Sequence, residues 1–351
     1  MTGSPLRAQS VVLLQGILDG ELWSTDTNST FLSRNGGRPA LLGRLQLWSA
    51  VEPARGFVVY GMFESLQGKA GETESEFEQF GARYTASHQL VIEAGKFTNP
   101  LGTFASRRFS NRNPLIGVPD GYPVQYPMGL LVSGAHGIVD YRAAVVSLPV
   151  VHENYTPRPS EAWRPAVGAG ISPIVGVRLG VSFTTGPYLN RDFSSTALAQ
   201  RGWRTYKERI LAADLAISVG YVELKAEAAR SSYDVPNRAD PVDGVTYYAE
   251  GKYTFTPRLY VALRLERNDY PFIALVSPTF WVARTTDFHD EEFGLGFRVT
   301  AATLVKASYR QDRWHIDAGN RAFIRPGGHA VAVQLSHSFD VMNWVERART
   351  R

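Results

Sequence analysis

The sequence predicts an all-β protein, a closed antiparallel transmembrane β-barrel of about sixteen strands. Three observations lead to this prediction. Apolar and polar residues alternate along most of the chain, short and long polar connections follow each other in turn, and aromatic residues lie beside the short connections. Because successive side chains of an extended chain point to opposite faces, each alternating segment has one aliphatic and one charged face.

The segment 257–270 shows this alternation clearly. Leu259, Leu263 and Leu265 share one face, and Arg264 and Glu266 lie on the other. Helical spacing is rare, and no apolar run is long enough for a transmembrane helix. The other alternating segments are 11–24, 41–51, 57–64, 209–220, 245–255, 292–299, 303–312 and 329–339.

The connections between these segments alternate in length. Short turns are predicted near 52–56, 86–88, 140–142, 171–174, 219–221, 254–258 and 300–302. Long polar segments are predicted near 25–39, 68–75, 98–128, 151–165, 187–204, 233–244, 268–290 and 313–328. Fifteen connections in this order join an even number of strands, with both chain ends on the short-turn side. Bacterial outer-membrane barrels have short periplasmic turns and long outer loops in this arrangement.

The two faces of the alternating segments fit a membrane barrel, and the aromatic residues support it. In a soluble sandwich the aliphatic faces would pack against a second sheet. A closed barrel instead leaves no unpaired edge and, at this strand number, encloses a lumen wide enough for water. The aliphatic faces are therefore predicted to contact lipid and the charged faces to line the lumen. Residues beside the short turns that would form an interfacial girdle are Phe57, Tyr84, Tyr141, Tyr221, Tyr253, Phe255 and Phe339.

Composition excludes several function classes. The net charge of +4 and the absence of a basic tract give no support for nucleic-acid binding. The chain has no cysteine, which removes thiolate catalysis and Cys-ligated metals. Its seven histidines lack metal-ligand spacing, and the run from His289 to Glu292 is interpreted as a solvated loop rather than a cation site. No metal and no cofactor are expected.

The chain divides into three parts by pattern. Residues 1–10 are polar and are interpreted as a leader or the remnant of a signal peptide. Residues 11–340 form the predicted transmembrane barrel, which includes a constriction loop at 98–128. Residues 341–351 follow the last alternating segment and are interpreted as a periplasmic tail.

One stretch carries a family resemblance. The segments "GKFTNPLG" (95–102) and "RNPLI" (112–116) flank a long loop that is rich in proline and apolar residues. This stretch resembles bacterial outer-membrane porins, and loosely the phosphate-selective porin O/P family. The resemblance implies that the third long loop folds into the lumen and narrows it, and that the protein is a homotrimer. The lysine-rich pore ladder of that family is not evident here.

Basic residues of this loop are the predicted constriction site. Arg107, Arg108 and Arg112 are placed there because a guanidinium keeps its charge and holds anions in a fixed fork. Asp120 is placed at the constriction with them. The alternative is that these arginines are solvated or bind lipopolysaccharide phosphates. The predicted lumen charges are Arg44, Arg83, Glu93, Arg178, Lys225, Glu250, Lys252, Arg264, Glu266, Arg298, Lys306 and Arg310. Neighbouring salt bridges that merely fill the wall are the alternative for this second set.

Together these observations predict a porin of the bacterial outer membrane that is not an enzyme. It would be a passive diffusion channel for small hydrophilic solutes or ions, with a weak anion preference. The expected partners are outer-membrane lipid, lipopolysaccharide and the diffusing solutes or anions, with no nucleic acid. One alternative is a plugged barrel with a structural or partner-binding role. A second alternative is an outer-membrane hydrolase that uses His337 or His136.

Overall fold

A computed structural model of the chain describes residues 11–28, 32–67, 71–119, 126–147, 162–189, 202–235, 239–277, 280–315 and 327–342. Sixteen antiparallel strands form one closed barrel, in which each strand pairs with its neighbours in sequence and β1 pairs with β16. The strands are β1 Val11–Thr25, β2 Ala40–Ala54, β3 Phe57–Gln67, β4 Thr73–Ser87, β5 Leu90–Lys96, β6 Met128–His136, β7 Val139–Val146, β8 Arg164–Ile174, β9 Val177–Pro187, β10 Lys207–Val219, β11 Val222–Tyr233, β12 Val242–Thr256, β13 Leu259–Ser277, β14 Phe280–Arg298, β15 Thr303–His315 and β16 Gly327–Asp340. The predicted fold class and strand number are confirmed.

Helical structure is confined to short pieces in the described part of the chain. Single 3-10 turns occur at Asn35–Gly37, Phe104–Arg107 and Trp203–Thr205. None of the described helices is long and apolar enough to cross a membrane.

The exterior of the barrel is aliphatic. On β13, Leu263 and Leu265 are 45% and 48% exposed, whereas Arg264 and Glu266 between and beside them are 1% and 4% exposed. Other strands follow the same rule, so that their Leu and Val rows point outward and their ions point inward. The predicted orientation of the two faces is therefore confirmed.

The seam that closes the barrel depends on a close approach of two strands. Gly16 on β1 is the register partner of Phe339 on β16. A Cβ atom on Gly16 would lie 2.7 Å from Cε2 of the Phe339 ring. Because residue 16 is a glycine, the Phe339 ring has room on the outer surface at the short-turn end, where it covers the backbone of β1.

Three predicted connections differ from the structure. The short turn predicted near 171–174 lies instead at 175–176, between β8 and β9, where Gly176 has a positive φ of 84°. The third short turn lies at 137–138 rather than 140–142, because Gly137 adopts a positive φ of 59° and supplies the reversal. The predicted long loop at 268–290 is instead the continuation of β13 and β14, which pair from Asp269 and Asp287 out to Leu275 and Trp281. This segment is rich in aromatic and β-branched residues, which favour extended structure.

Candidate functional site

The loop that follows β5 contacts inward-facing residues of the barrel wall. Its described part, residues 97–119, is called the inner loop here. Near its start, Gly102 N–H donates to Ser182 Oγ on β9 (3.2 Å), and Arg142 Nη1 on β7 donates to Gly102 O (2.8 Å). Thr103 donates its N–H and its hydroxyl to the Glu227 carboxylate on β11, at 3.0 and 2.8 Å. The first part of the inner loop is thus fixed to the wall formed by β7–β11.

An apolar core lies between the inner loop and this wall. Phe97 and Phe104 have no exposed surface, and Leu101 is 3% exposed. Phe104 packs edge-on against Tyr248 of β12, with ring centroids 5.7 Å apart. The wall residues in this core are Leu131, Ala144, Val146, Ala166, Ile210, Ala212, Ala229 and Tyr248. Small side chains of the wall make room for the rings of the loop, so this part of the lumen is filled by protein.

Two successive arginines of the inner loop reach opposite walls. Arg107 Nη1 lies 2.5 Å from Glu250 Oε1 on β12, and Arg107 Nη2 donates to the Tyr248 hydroxyl at 2.9 Å. Arg108 Nη2 lies 3.3 Å from Glu64 Oε2 on β3 and 3.3 Å from Glu78 Oε1 on β4. Strands β3 and β12 stand on nearly opposite sides of the ring. The inner loop therefore bridges the lumen.

Burial and neighbouring groups act in opposite directions on these two arginines. Burial lowers the pKa of the Arg107 guanidinium, but Tyr248, Glu250 and Glu227 more than offset it, so the pKa lies above its ordinary value. Burial likewise lowers the pKa of Arg108, and Tyr126 and Glu64 more than offset it. Both guanidiniums are cations that are already held by carboxylates.

The second half of the inner loop is fixed to the wall formed by β13–β16 and β1. Lys306 Nζ on β15 donates to three loop carbonyls, those of Ser110 (3.0 Å), Asn113 (3.2 Å) and Leu115 (2.9 Å). Ser110 Oγ donates to Asp19 Oδ1 on β1 at 2.7 Å. Lys306 is 1% exposed, so its ammonium group serves to hold the loop.

Gly117 lies between Glu292 of β14 and Arg264 of β13, and these two side chains are called the cradle here. The N–H groups of Ile116 and Gly117 donate to Glu292 Oε1 on β14, at 3.1 and 2.9 Å. Arg264 Nη1 on β13 donates to Gly117 O at 2.8 Å, and Arg264 Nη2 donates to Asn113 Oδ1 at 2.9 Å. A Cβ atom on Gly117 would lie 2.5 Å from Glu292 Oε2, so only glycine fits without a shift of these side chains.

The cradle belongs to a row of alternating charges on five consecutive strands. Register partners run from Lys225 on β11 to Glu250, Arg264, Glu292 and Arg310 on β12 to β15. Opposite charges at directly paired positions stabilise a sheet, and here the loop uses the same ions as anchors.

The structure places the predicted lumen charges on the inner face, and most of them are engaged by neighbours. Arg44 is the register partner of Asp19. Arg83 lies 2.9 Å from Glu93. Arg178 forms ion pairs with Asp140, at 2.8 Å, and with Asp214. Lys225 and Lys252 both pair with Glu223, at 3.5 and 2.6 Å. Arg264 contacts Glu250 at 2.6 Å, and Arg310 contacts Asp290 at the same distance. The Glu266 carboxylate accepts a hydrogen bond from Asn268 at 2.7 Å. Arg298 donates to the carbonyl oxygen of Ala301 at 3.4 Å. These contacts favour the salt-bridge interpretation for most of the set.

Arg112 differs from the other predicted constriction residues. Its side chain is exposed, and Nη1 donates to Ser106 O at 3.2 Å. No carboxylate of the described residues lies within 4.0 Å of its guanidinium nitrogens. Asp120, the fourth predicted constriction residue, lies outside the described residues.

A cavity of about 890 Å³ lies between the inner loop and the short-turn end of the barrel. Arg112, Phe109 and Ser106 line it from the loop, and Trp48, Met62 and Arg83 are among the residues that line it from the wall. Phe109 and Trp48 are in edge-to-face contact, with centroids 5.0 Å apart. The cavity combines an apolar wall with a guanidinium that is free of carboxylates among the described residues.

The two histidines of the hydrolase alternative, His337 and His136, contact neutral polar side chains. His337 Nδ1 lies 3.0 Å from Thr303 Oγ1, and its neighbour Ser336 faces the lumen, so the two side chains are on opposite faces of β16. His136 Nδ1 lies 2.9 Å from Gln89 Nε2. The run from His289 to Glu292 is not a loop. It lies in β14, where Glu292 faces inward and serves the cradle.

Sequence reasoning missed several anchors of the inner loop. Arg142, Tyr248 and Asn113 were not among the predicted site residues, although each makes a hydrogen bond that positions the loop. The inward parity of Arg142 and Tyr248 on their strands was a signal that could have found them. Nothing in the local pattern around Asn113 indicates that its side chain accepts from Arg264.

Comparisons with known proteins give a structural likeness. No family model matches the sequence, and no curated protein matches it. Among solved structures, the anion-selective porin from Comamonas acidovorans has a TM-score of 0.65 at 11% identity, covering 94% of this chain and 100% of that one. The outer-membrane channel DcaP of Acinetobacter baumannii also has a TM-score of 0.65 at 11% identity, with 97% and 100% covered. Salmonella typhi OmpF, in a complex with daunomycin, has a TM-score of 0.62 at 11% identity, with 93% and 97% covered.

The fold therefore defines a class. The chain is a closed sixteen-stranded antiparallel barrel, and its fold is similar to those of an anion-selective porin and an outer-membrane channel. Its aliphatic exterior and ion-lined interior agree with this class. At these identities the likeness concerns the fold.

Proposed function

We propose that this protein is an outer-membrane porin that lets small hydrophilic solutes and ions diffuse passively, with a weak preference for anions. The observation that carries the proposal is the combination of a closed barrel, aliphatic outside and ionic inside, with a lumen cavity that reaches the inner loop. A lumen lined by fixed ions offers water and polar solutes a path that the bilayer does not.

In this proposal the inner loop is the constriction. It crosses the lumen between Arg107 at one wall and Arg108 at the other, and so reduces the open cross-section. Arg107 and Arg108 each contact a carboxylate and contribute little net charge. Arg112 remains as an exposed cation beside the cavity, and a single fixed charge in a narrow, low-dielectric passage biases which ions enter.

Proteoliposome swelling tests the proposal. Vesicles that contain the purified, folded protein should swell in uncharged sugars at a rate that falls as the sugar becomes larger. In a potassium chloride gradient, the reversal potential should have the sign of chloride preference. Protein-free vesicles are the control. Swelling no faster than in this control would contradict a diffusion channel, and a cation-selective potential would contradict the anion preference alone.

A plugged barrel is the second candidate, and the reach of the inner loop favours it. The loop is hydrogen-bonded to strands on both sides of the lumen, and an apolar core fills the space beside β6–β12. If these contacts close the lumen, the barrel would have a structural or partner-binding role. A folded protein in the bilayer that passes no ions would support this candidate.

The membrane partners of the porin follow from its exterior. Arg209 and Arg230 point outward near the long-loop end, beside the apolar side chains of Phe183 and Leu211. In the porin proposal this end faces the outer leaflet, where lipopolysaccharide phosphates would meet such cations. A homotrimer is part of the proposal and is tested by the mass of the protein in mild detergent.

A further inference from the structure

We propose that the cavity below the inner loop is a binding site for a small aromatic monocarboxylate, a benzoate-like anion. The inference rests on the proposed function in that the cavity lies on the proposed diffusion path. It adds a substrate class that neither the fold nor the balance of lumen charges specifies.

The apolar side of the cavity is a defined cluster. Ile17 of β1, Met62 of β3 and Phe109 of the inner loop are 3%, 1% and 7% exposed, and half-buried Trp48 of β2 packs against them. All four side chains line the cavity. Trp48 and Phe109 meet edge to face at 78°, an arrangement that a third aromatic ring can extend.

The charged side of the cavity is suited to a single negative charge. Its described lining includes two cations, Arg83 and Arg112, and one anion, Asp340. Arg83 is bonded through Nε and Nη2 to Glu93, at 3.0 and 2.9 Å. Arg112 has no such partner among the described residues, so one planar fork is available to one carboxylate.

The loop holds the aromatic and the cationic parts close together. Arg112 N–H donates to Phe109 O at 2.8 Å, so residues 109–112 form a tight turn. The Cα atoms at the two ends of such a turn are less than about 7 Å apart. A carboxylate bound by Arg112 would therefore carry its ring toward the Trp48 and Phe109 pair.

Other anions match the site less well. Inorganic phosphate carries between one and two negative charges near neutral pH and has no apolar surface, whereas the site offers one guanidinium without a carboxylate partner among the described residues and a wall of aromatic and aliphatic side chains. Acetate would use the guanidinium alone. The cavity of about 890 Å³ has room for a single-ring acid with accompanying water.

Calorimetric titration of the full-length folded protein in detergent micelles tests this site directly. The ligands are benzoate, cyclohexanecarboxylate, acetate and inorganic phosphate at low ionic strength. Benzoate should bind about tenfold more tightly than acetate or phosphate because its ring is buried. It should also bind about threefold more tightly than cyclohexanecarboxylate because of its contacts with the aromatic pair. Equal affinity for benzoate and either comparison acid would overturn the proposal.

Variants assign the binding to these residues. Arg112→Gln should weaken benzoate binding about tenfold through loss of the charged donor. Trp48→Leu should weaken benzoate more than acetate. Arg258→Gln, at the turn between β12 and β13, removes the same charge away from the cavity and should leave benzoate affinity unchanged. Benzoate affinity unaltered by Arg112→Gln would overturn the assignment, and Arg112 is exposed enough for that variant to fold.

The outcome for this site is separable from the outcome for the channel. Ion conductance is measured on the same preparation. Conductance without preferential benzoate binding would contradict the proposed binding site but not the proposed channel. Benzoate binding without conductance would contradict the proposed channel but not the binding site.

Discussion

Arg107 of the inner loop and Glu250 of β12 form a buried ion pair, with 2.5 Å between Nη1 and Oε1. The other oxygen of the same carboxylate lies 2.6 Å from Nη2 of Arg264. One carboxylate thus holds a loop cation and a wall cation together. The position of the inner loop depends on this sharing, because burying either guanidinium without a partner carries a large desolvation cost.

Glu250→Gln should therefore destabilise the folded barrel. Removing the carboxylate leaves Arg107 and Arg264 buried with reduced compensation, and breaking a buried pair costs about 3–5 kcal/mol. The temperature at which the folded band disappears in a heat-modifiability gel measures the effect. Glu291→Gln changes an exposed carboxylate on the outer face of the same barrel and is the matched control. Equal midpoints for the two variants would show that the shared carboxylate is not an anchor.

Ion selectivity should depend on Arg112 more than on any other arginine of the loop. Arg112→Gln removes an exposed cation that has no described carboxylate partner, so the reversal potential in a salt gradient should move toward zero. Arg230→Gln removes a cation from the outer face and should not move it. A reversal potential that stays the same in Arg112→Gln would place the selectivity elsewhere in the lumen.

Gly117→Ala should displace the inner loop from its cradle. The new methyl group would lie 2.5 Å from Glu292 Oε2 and 2.8 Å from Arg310 Nη1, and such overpacking costs about 1–3 kcal/mol. Channel current should become noisier and its mean amplitude should change. At Gly43 a Cβ atom meets nothing within 4 Å, so Gly43→Ala is the control. Identical single-channel records for the two variants would argue against the cradle.

Lipid contact of the outer face can be measured as a depth dependence on one strand. Leu263→Lys places a cation on the outer face of β13 well away from its end, where the cost is about 2–4 kcal/mol. Leu259→Lys lies on the same face at the first residue of the strand, where the cost is about 0–1 kcal/mol. Folding yield into lipid vesicles at increasing urea concentration gives the comparison. Equal costs at the two positions would mean that this face does not contact hydrocarbon.

The barrel could be predicted from the sequence because its determinants are local. Alternation along Leu259 to Glu266 fixes the two faces of a strand, and the lengths of the connections fix the order of neighbours. Strand ends were harder to predict. The extension of β13 to Ser277 is flanked by polar, turn-forming residues, as a loop would be, but its interior consists of residues that favour strands. Its pairing with β14 makes it part of the sheet.

The inner loop could be located but its contacts could not. Its residues were found from length and resemblance, whereas the partner of Arg107 lies 143 positions away and the partner of Arg108 lies 44 positions away in the opposite direction. Such pairs depend on the curvature of the closed barrel. For the same reason, the sequence did not indicate that Arg107 and Arg108 are held by carboxylates while Arg112 is exposed.

Single-channel recording in planar bilayers tests whether the ion-lined lumen stays open past the inner loop. Purified, folded protein in symmetric potassium chloride should produce discrete current steps of uniform size that scale with salt concentration. Protein that inserts, as shown by protection of its strands from protease, and yet produces no steps above the bare bilayer would show that the lumen is closed.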